Sequence, residues 1–223
     1  LKSEHIDQVV VTHHHEDHTG NLAAIKKQLD VPFWASEKCK MLMKNPPEMS
    51  MPPKIFWGNR GAFHLDVLEN DVLETENYKF DIIPLPGHSE DMFGLYEKEK
   101  GWLFSADAYV HTHIRYFFYR ESVLQQIETI KKLLQLDFDI LFCAHNPQLT
   151  DGKKKLEKKL LFLENFYAEV AALHKKQLSP AQILRKMELK EYRFLKIWSG
   201  GHLSVINMVN AVIRDEKNAQ ESV

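Results

Sequence analysis

The amino-acid sequence predicts an α+β fold whose strand ends carry histidines and aspartates. Three observations predict it. First, Ile6-Asp7-Gln8-Val9-Val10-Val11 is apolar and β-branched and reads as a buried strand. It runs into Thr12-His13-His14-His15-Glu16-Asp17-His18-Thr19-Gly20, and Asn21 onward reads as a helix. Second, three later strand-like runs end at His88, Asp107 and His145. Third, the chain beyond about residue 150 is patterned as helices. Residues 1–150 are therefore expected to form the domain that carries these side chains, with 151–223 a helical segment packed on it.

Taken in order, residues 6–12 form the first strand and 20–29 a helix rich in helix formers. Val31 to Ala35 is a short strand, and Ser36 caps a helix reaching about Lys44. Asn45 to Pro53 holds four prolines, which prevent regular structure. Met41, Met43, Met49 and Met51 surround it, and Phe56 and Trp57 follow. Such side chains adapt to apolar ligands, so residues 46–53 are expected to form a lid or pocket wall; local packing or a subunit contact is the plainer reading.

Val67 to Leu73 and Tyr78 to Leu85 read as strands. Gly87 then lets the backbone turn sharply and aim His88 inward. Met92 to Tyr96 and Trp102 to Ser105 form a hairpin whose second strand presents Asp107. Of Tyr109, His111 and His113, which follow, Tyr109 is the first choice for a substrate contact or proton donor, against ordinary loop contacts for all three. Glu121 to Leu136 is an amphipathic helix, and the strand from Asp137 ends at His145. Lys153 to Lys176 is another helix, whose Lys153-Lys154-Lys155 and Lys158-Lys159 clusters read as a solvated face. Ser179-Pro180 opens a further helix. The last, from about His202 to Arg214, is too apolar for a free tail; it packs on the body, lines the pocket mouth or makes a homodimer contact.

Composition narrows the function classes. With 44% hydrophobic residues the 223-residue chain can bury a substantial core. Lys and Arg number 29 against 31 Asp and Glu, which gives no electrostatic reason to expect nucleic acid or an anionic membrane. No apolar run is long enough to span a bilayer, and no signal peptide is evident. The two cysteines, Cys39 and Cys143, are not expected to pair, and a reducing cytoplasm is the expected setting.

Imidazole nitrogen and carboxylate oxygen are the ligands that zinc and similar cations take. In a loop, His13 and His15 can converge on one ion while Asp17 and His18 reach a neighbouring one. A purification tag would be terminal, longer and without Asp17 and His18. The pattern HxHxDH after a hydrophobic strand resembles the metallo-β-lactamase superfamily of hydrolases. So do Pro86-Gly87-His88-Ser89, the strand Leu103 to Asp107, and the strand Leu141 to His145, all in the order that family shows.

The resemblance implies a four-layer αββα sandwich with two divalent metal ions, zinc first and manganese or iron as alternatives. His13, His15 and His88 would bind one ion, Asp17, His18 and His145 the second, and Asp107 would bridge. Ions roughly 3.5–4 Å apart share a hydroxide that attacks a carbonyl or phosphoryl centre. Asp17, Tyr109 or a metal-bound water would protonate the leaving group. The family places several strands before the first motif, and this sequence reaches it at His13, so a fragment is the expectation.

Within the family, the commonest β-lactamases carry Cys in place of Asp107 and Arg near His18. The nucleases with a large inserted domain need more than the 37 residues, 108 to 144, between Asp107 and His145. Glyoxalase-II-like thioesterases, lactonases and small phosphodiesterases remain. The Met and aromatic segment favours a partly apolar ester, thioester or lactone as a small-molecule substrate. A mononuclear iron dioxygenase of the persulfide type, using His13, His88 and Asp107, is a second reading, and a non-catalytic scaffold a third.

Overall fold

The computed structural model describes residues 5–48, 54–55 and 60–221. Strands β1 (Val9–Val10), β2 (Phe33–Ala35) and β3 (Asp66–Val67) form a small parallel sheet. The connections carry helices, as parallel neighbours require: α1 (Glu16–Thr19) and α2 (Leu22–Lys26) before β2, and α3 (Glu37–Lys44) after it. Ser36 caps α3 by accepting from the Cys39 amide. This unit closes over Val11, Leu22, Phe33, Cys39, Met43 and Leu65.

The larger sheet begins with the antiparallel strands β4 (Val72–Glu74), β5 (Lys79–Pro84), β6 (Phe93–Glu97) and β7 (Trp102–Ala106). Strand β8 (Phe117–Phe118) and helix α4 (Val123–Leu133) then carry the chain across to β9 (Ile140–Cys143), which lies parallel to β7 with Leu103 opposite Leu141. Helices α5 (Gly152–Lys175), α6 (Pro180–Lys186) and α7 (Arg193–Trp198) follow, then β10 (Leu203–Ser204) and α8 (Val205–Glu221). Strand β10 pairs with β8.

Side chains alternate across the large sheet. Leu103, Leu141 and Tyr96 face the main core, shared with Val123, Ile127 and Ile130 of α4, Leu156 and Leu163 of α5, and Met208 and Val212 of α8. The other face carries half-buried Phe104, Phe142 and Trp102, with Phe104 stacked on Phe142 at 4.7 Å between ring centroids. The two sheets are joined where Phe93 N donates to Thr12 O at 3.1 Å and Ser36 Oγ donates to Asp91 O at 2.8 Å. Helices thus flank both sheets, an α+β arrangement.

Several elements differ from the sequence expectation. Val67 to Leu73 is not one strand but two, in different sheets, because the chain bends at Asn70-Asp71, both turn formers. The first strand shrinks to Val9–Val10, and the motif forms its own helical turn, α1, before α2. The short β8, β10 and α7 were not anticipated. Residues 49–53 of the expected lid, with Met49 and Met51, and residues 56–59, with Phe56 and Trp57, lie outside the described residues. Cys39 and Cys143 are buried and free. Among the described residues no helix is long and apolar enough to cross a membrane.

Gly94 tests the strand packing. A Cβ there would run into Phe104 O across the β6–β7 ladder. Gly94→Ala is expected to lower stability by about 1–3 kcal/mol, seen as a lower urea midpoint at unchanged m value. An unchanged midpoint would mean that β6 and β7 do not approach this closely.

Candidate metal centre

Four strand ends meet at one point. Beyond β1, His15 is extended (φ −60°, ψ 151°), so His13 and His15 project as alternate residues of an extended chain. Helix α1 then turns Asp17 and His18 onto one side. Its last residue, Thr19, locks the turn by donating through Oγ1 to His15 O at 2.8 Å.

Gly87 has φ +126°, and a Cβ there would lie 2.6 Å from Gln126 N, so glycine is required where the chain turns to present His88. At the end of β7, Ala106 is left-handed with φ 43°, beside a register shift in the β7–β9 pairing. Such backbone costs about 1–3 kcal/mol and is held here by the residues around Asp107. His145 stands two residues beyond the end of β9.

Two groups of ligand atoms result. In the first, His15 Nδ1 lies 3.1 Å from His13 Nε2 and 2.9 Å from His88 Nε2. In the second, His145 Nε2 lies 3.3 Å from Asp17 Oδ2 and 3.2 Å from Asp107 Oδ2, and His18 Nε2 lies 3.5 Å from Asp107 Oδ1. Asp107 Oδ2 is also 3.6 Å from His88 Nε2, which places this carboxylate between the groups.

The donors fit cations. Zn–N bonds of roughly 2.0–2.1 Å in a tetrahedral site put nitrogens about 3.3 Å apart, close to the spacing of the first group. His18 Nε2 and Asp107 Oδ1 are buried with no hydrogen-bond partner among the described residues. Such orphaned atoms are costly unless something else satisfies them.

Electrostatics agree. Burial, then the neighbouring imidazoles, push His13 and His15 well below the usual histidine range, so both are neutral lone-pair donors. Burial alone would raise Asp107, but His145, His18 and His88 outweigh it and hold the carboxyl well below its usual range. His14 turns away: its Nδ1 meets Asp91 Oδ1 at 2.9 Å and its amide donates to Asp91 Oδ2 at 2.7 Å. Burial raises Asp91, yet these bonds to His14 lower it to about 2.

Both groups face a cavity of about 800 Å³. Tyr116, Phe118, Tyr119, Leu195 and Trp198 supply apolar wall, and Arg60, Arg115 and Arg120 supply positive charge. His111, His113 and His202 also line it.

All seven expected ligands, His13, His15, Asp17, His18, His88, Asp107 and His145, are brought together. Tyr109 is not. It is only 2% exposed, packs in the main core and does not line the cavity, because the turn after β7 directs it inward. Its role as a proton donor is therefore corrected.

The solvated reading of the α5 lysines also fails at Lys159, which is buried and donates to Ala108 O at 2.8 Å. It occupies the stripe of Leu156 and Leu163, a helical spacing that could have revealed it. Burial lowers it to about 8. Asp91 and Glu121 were likewise missed, because their partners His14 and His88 are distant in sequence.

A model of the metallo-beta-lactamase superfamily matches residues 1–145. The chain is 33% identical over 156 residues to the hydroxyacylglutathione hydrolase GloC of Haemophilus influenzae, covering 66% of this chain and 72% of that protein. It is 26% identical over 225 residues to the hydroxyacylglutathione hydrolase of Idiomarina loihiensis, covering 99% of this chain and 79% of that protein. An archaeal metallo-beta-lactamase superfamily protein from Sulfolobus tokodaii shares the fold, with TM-score 0.57 at 18% identity over 84% of this chain and 79% of that one. On the family match and these relatives, the chain is a hydrolase belonging to the metallo-beta-lactamase superfamily.

Proposed function

We propose that the chain is a binuclear metal hydrolase acting on a small ester, thioester or lactone, with a thioester favoured. The position of Asp107 carries this reading: one carboxylate lies 3.2 Å from His145 Nε2 and 3.6 Å from His88 Nε2. His13, His15 and His88 would hold one divalent cation, Asp17, His18 and His145 the second, and Asp107 both. Zinc suits this nitrogen and oxygen set best, with manganese or iron as alternatives. When bound, such ions supply an activated water and a Lewis acid for the substrate oxygen.

The remaining roles belong to the protein. Asp17 faces the cavity 3.3 Å from His145 and can carry a proton to the leaving group. The aromatic wall around Phe118 and Trp198 buries an apolar acyl portion, and Arg115 and Arg120 suit an anionic group on the leaving thiol. The names of the Haemophilus and Idiomarina relatives support the thioester. The near-neutral charge supports a small molecule over nucleic acid, and a cytoplasmic setting, where Cys39 and Cys143 stay reduced, belongs to this reading.

Asp107→Ala is expected to cut turnover by about 100-fold or more and to reduce bound metal from about two ions per chain towards one. Near-parental turnover in this variant would contradict the bridging role. Chelation should abolish hydrolysis of a hydroxyacyl thioester of glutathione, and added zinc should restore it. Robust turnover of a phosphodiester but not of thioesters, esters or lactones would contradict the substrate class.

A further inference from the structure

His88 differs from His13 in what stands behind the ring. The Nδ1 of His13 meets the Thr12 hydroxyl at 3.1 Å, whereas His88 Nδ1 faces Glu121 Oε2 at 3.2 Å. Glu121 is 6% exposed and has its own partners. Its Oε2 accepts from Gln126 Nε2 at 2.8 Å, and its Oε1 accepts from Phe118 N at 2.8 Å.

The turn carrying Glu121 is gripped from the far end of the chain. Arg214 of α8 donates to Tyr119 O at 3.1 Å and also to Glu121 O. Asp215 of α8, itself buried, accepts from Ser122 Oγ at 2.8 Å and from Leu124 N at 2.9 Å. That carboxylate sits at the start of α4, where unpaired amides and the helix dipole favour it.

We propose that Glu121 is a positioning residue for the metal centre and that α8, through Arg214 and Asp215, holds it in place. A histidine binds a cation through one nitrogen only if that nitrogen is unprotonated and correctly aimed. A carboxylate on the other nitrogen fixes both the tautomer and the ring angle. Glu121 does this for His88, and its own rotamer is fixed by Gln126 and the Phe118 amide. The C-terminal helix, which contributes no ligand, thereby sets the geometry of a site formed from residues 13 to 145. This rests on the metal centre proposed above.

The test compares zinc affinity, by competition with a chromophoric chelator, in the parent protein and in Glu121→Gln. The amide keeps the side chain's size but removes the negative charge that faces His88 Nδ1. Zinc binding is expected to weaken by roughly 10–100-fold, with an altered visible spectrum of the cobalt-substituted protein and little change in the melting temperature of the metal-free protein. A variant that binds zinc within twofold of the parent, with an unchanged cobalt spectrum, overturns the role of Glu121. A parent that binds no zinc overturns the metal centre itself and this inference with it. Should Glu121→Gln not fold, Asp215→Asn loosens the anchor without touching His88; it is expected to weaken zinc binding in the same direction, and unchanged binding overturns the proposal.

Discussion

Nitrogen lone pairs do not share a point in space without something to satisfy them. His15 Nδ1 faces both His13 Nε2 and His88 Nε2 at about hydrogen-bond distance, yet a single proton on it can serve only one of them. Burial keeps His13 and His15 neutral, so charge cannot resolve the crowding. A few ångströms away, His18 Nε2 and Asp107 Oδ1 are buried without hydrogen bonds among the described residues. Divalent cations, as proposed above, would satisfy these atoms at once, and the local backbone is arranged so as to bring them together.

The two sheets supply that means. No single element holds more than four of the seven proposed ligands, so they come together only when the small sheet, the large sheet and the β7–α4–β9 crossover are all formed. The joins are specific. Thr12 O accepts Phe93 N, which ties the first motif to β6. Asp91 receives both the amide and the ring of His14, which turns that histidine away and leaves its neighbours facing inward. The left-handed Ala106, one residue before Asp107, is a local departure from favourable backbone, whereas Gly87, one residue before His88, meets its positive φ without that cost. Strain placed in this way is tolerated where surrounding packing determines the geometry.

Much of this was legible in the sequence. Candidate ligands adjacent in the chain, such as His13, His15, Asp17 and His18, announce themselves by spacing, and His88, Asp107 and His145 by standing at the ends of apolar runs. Gly87 was legible because one backbone demand has one residue that meets it. Tyr109 was misplaced because proximity in sequence to Asp107 says nothing about which side of a turn a side chain takes. Lys159 was hidden among exposed lysines, and only its register with Leu156 and Leu163 marks it as buried. Glu121 and Asp215 were invisible because their meaning lies in partners 33 and 93 residues away. The break between β3 and β4 was missed for a related reason: an apolar strand pattern does not say when a strand changes sheets.

The most direct measurement is crystallographic: anomalous diffraction at the zinc edge from protein purified without a histidine tag and soaked in zinc. Two peaks are expected, one among His13, His15 and His88, the other among Asp17, His18 and His145, with Asp107 touching both. A single peak, or none at these residues, would contradict a two-cation centre bridged by Asp107.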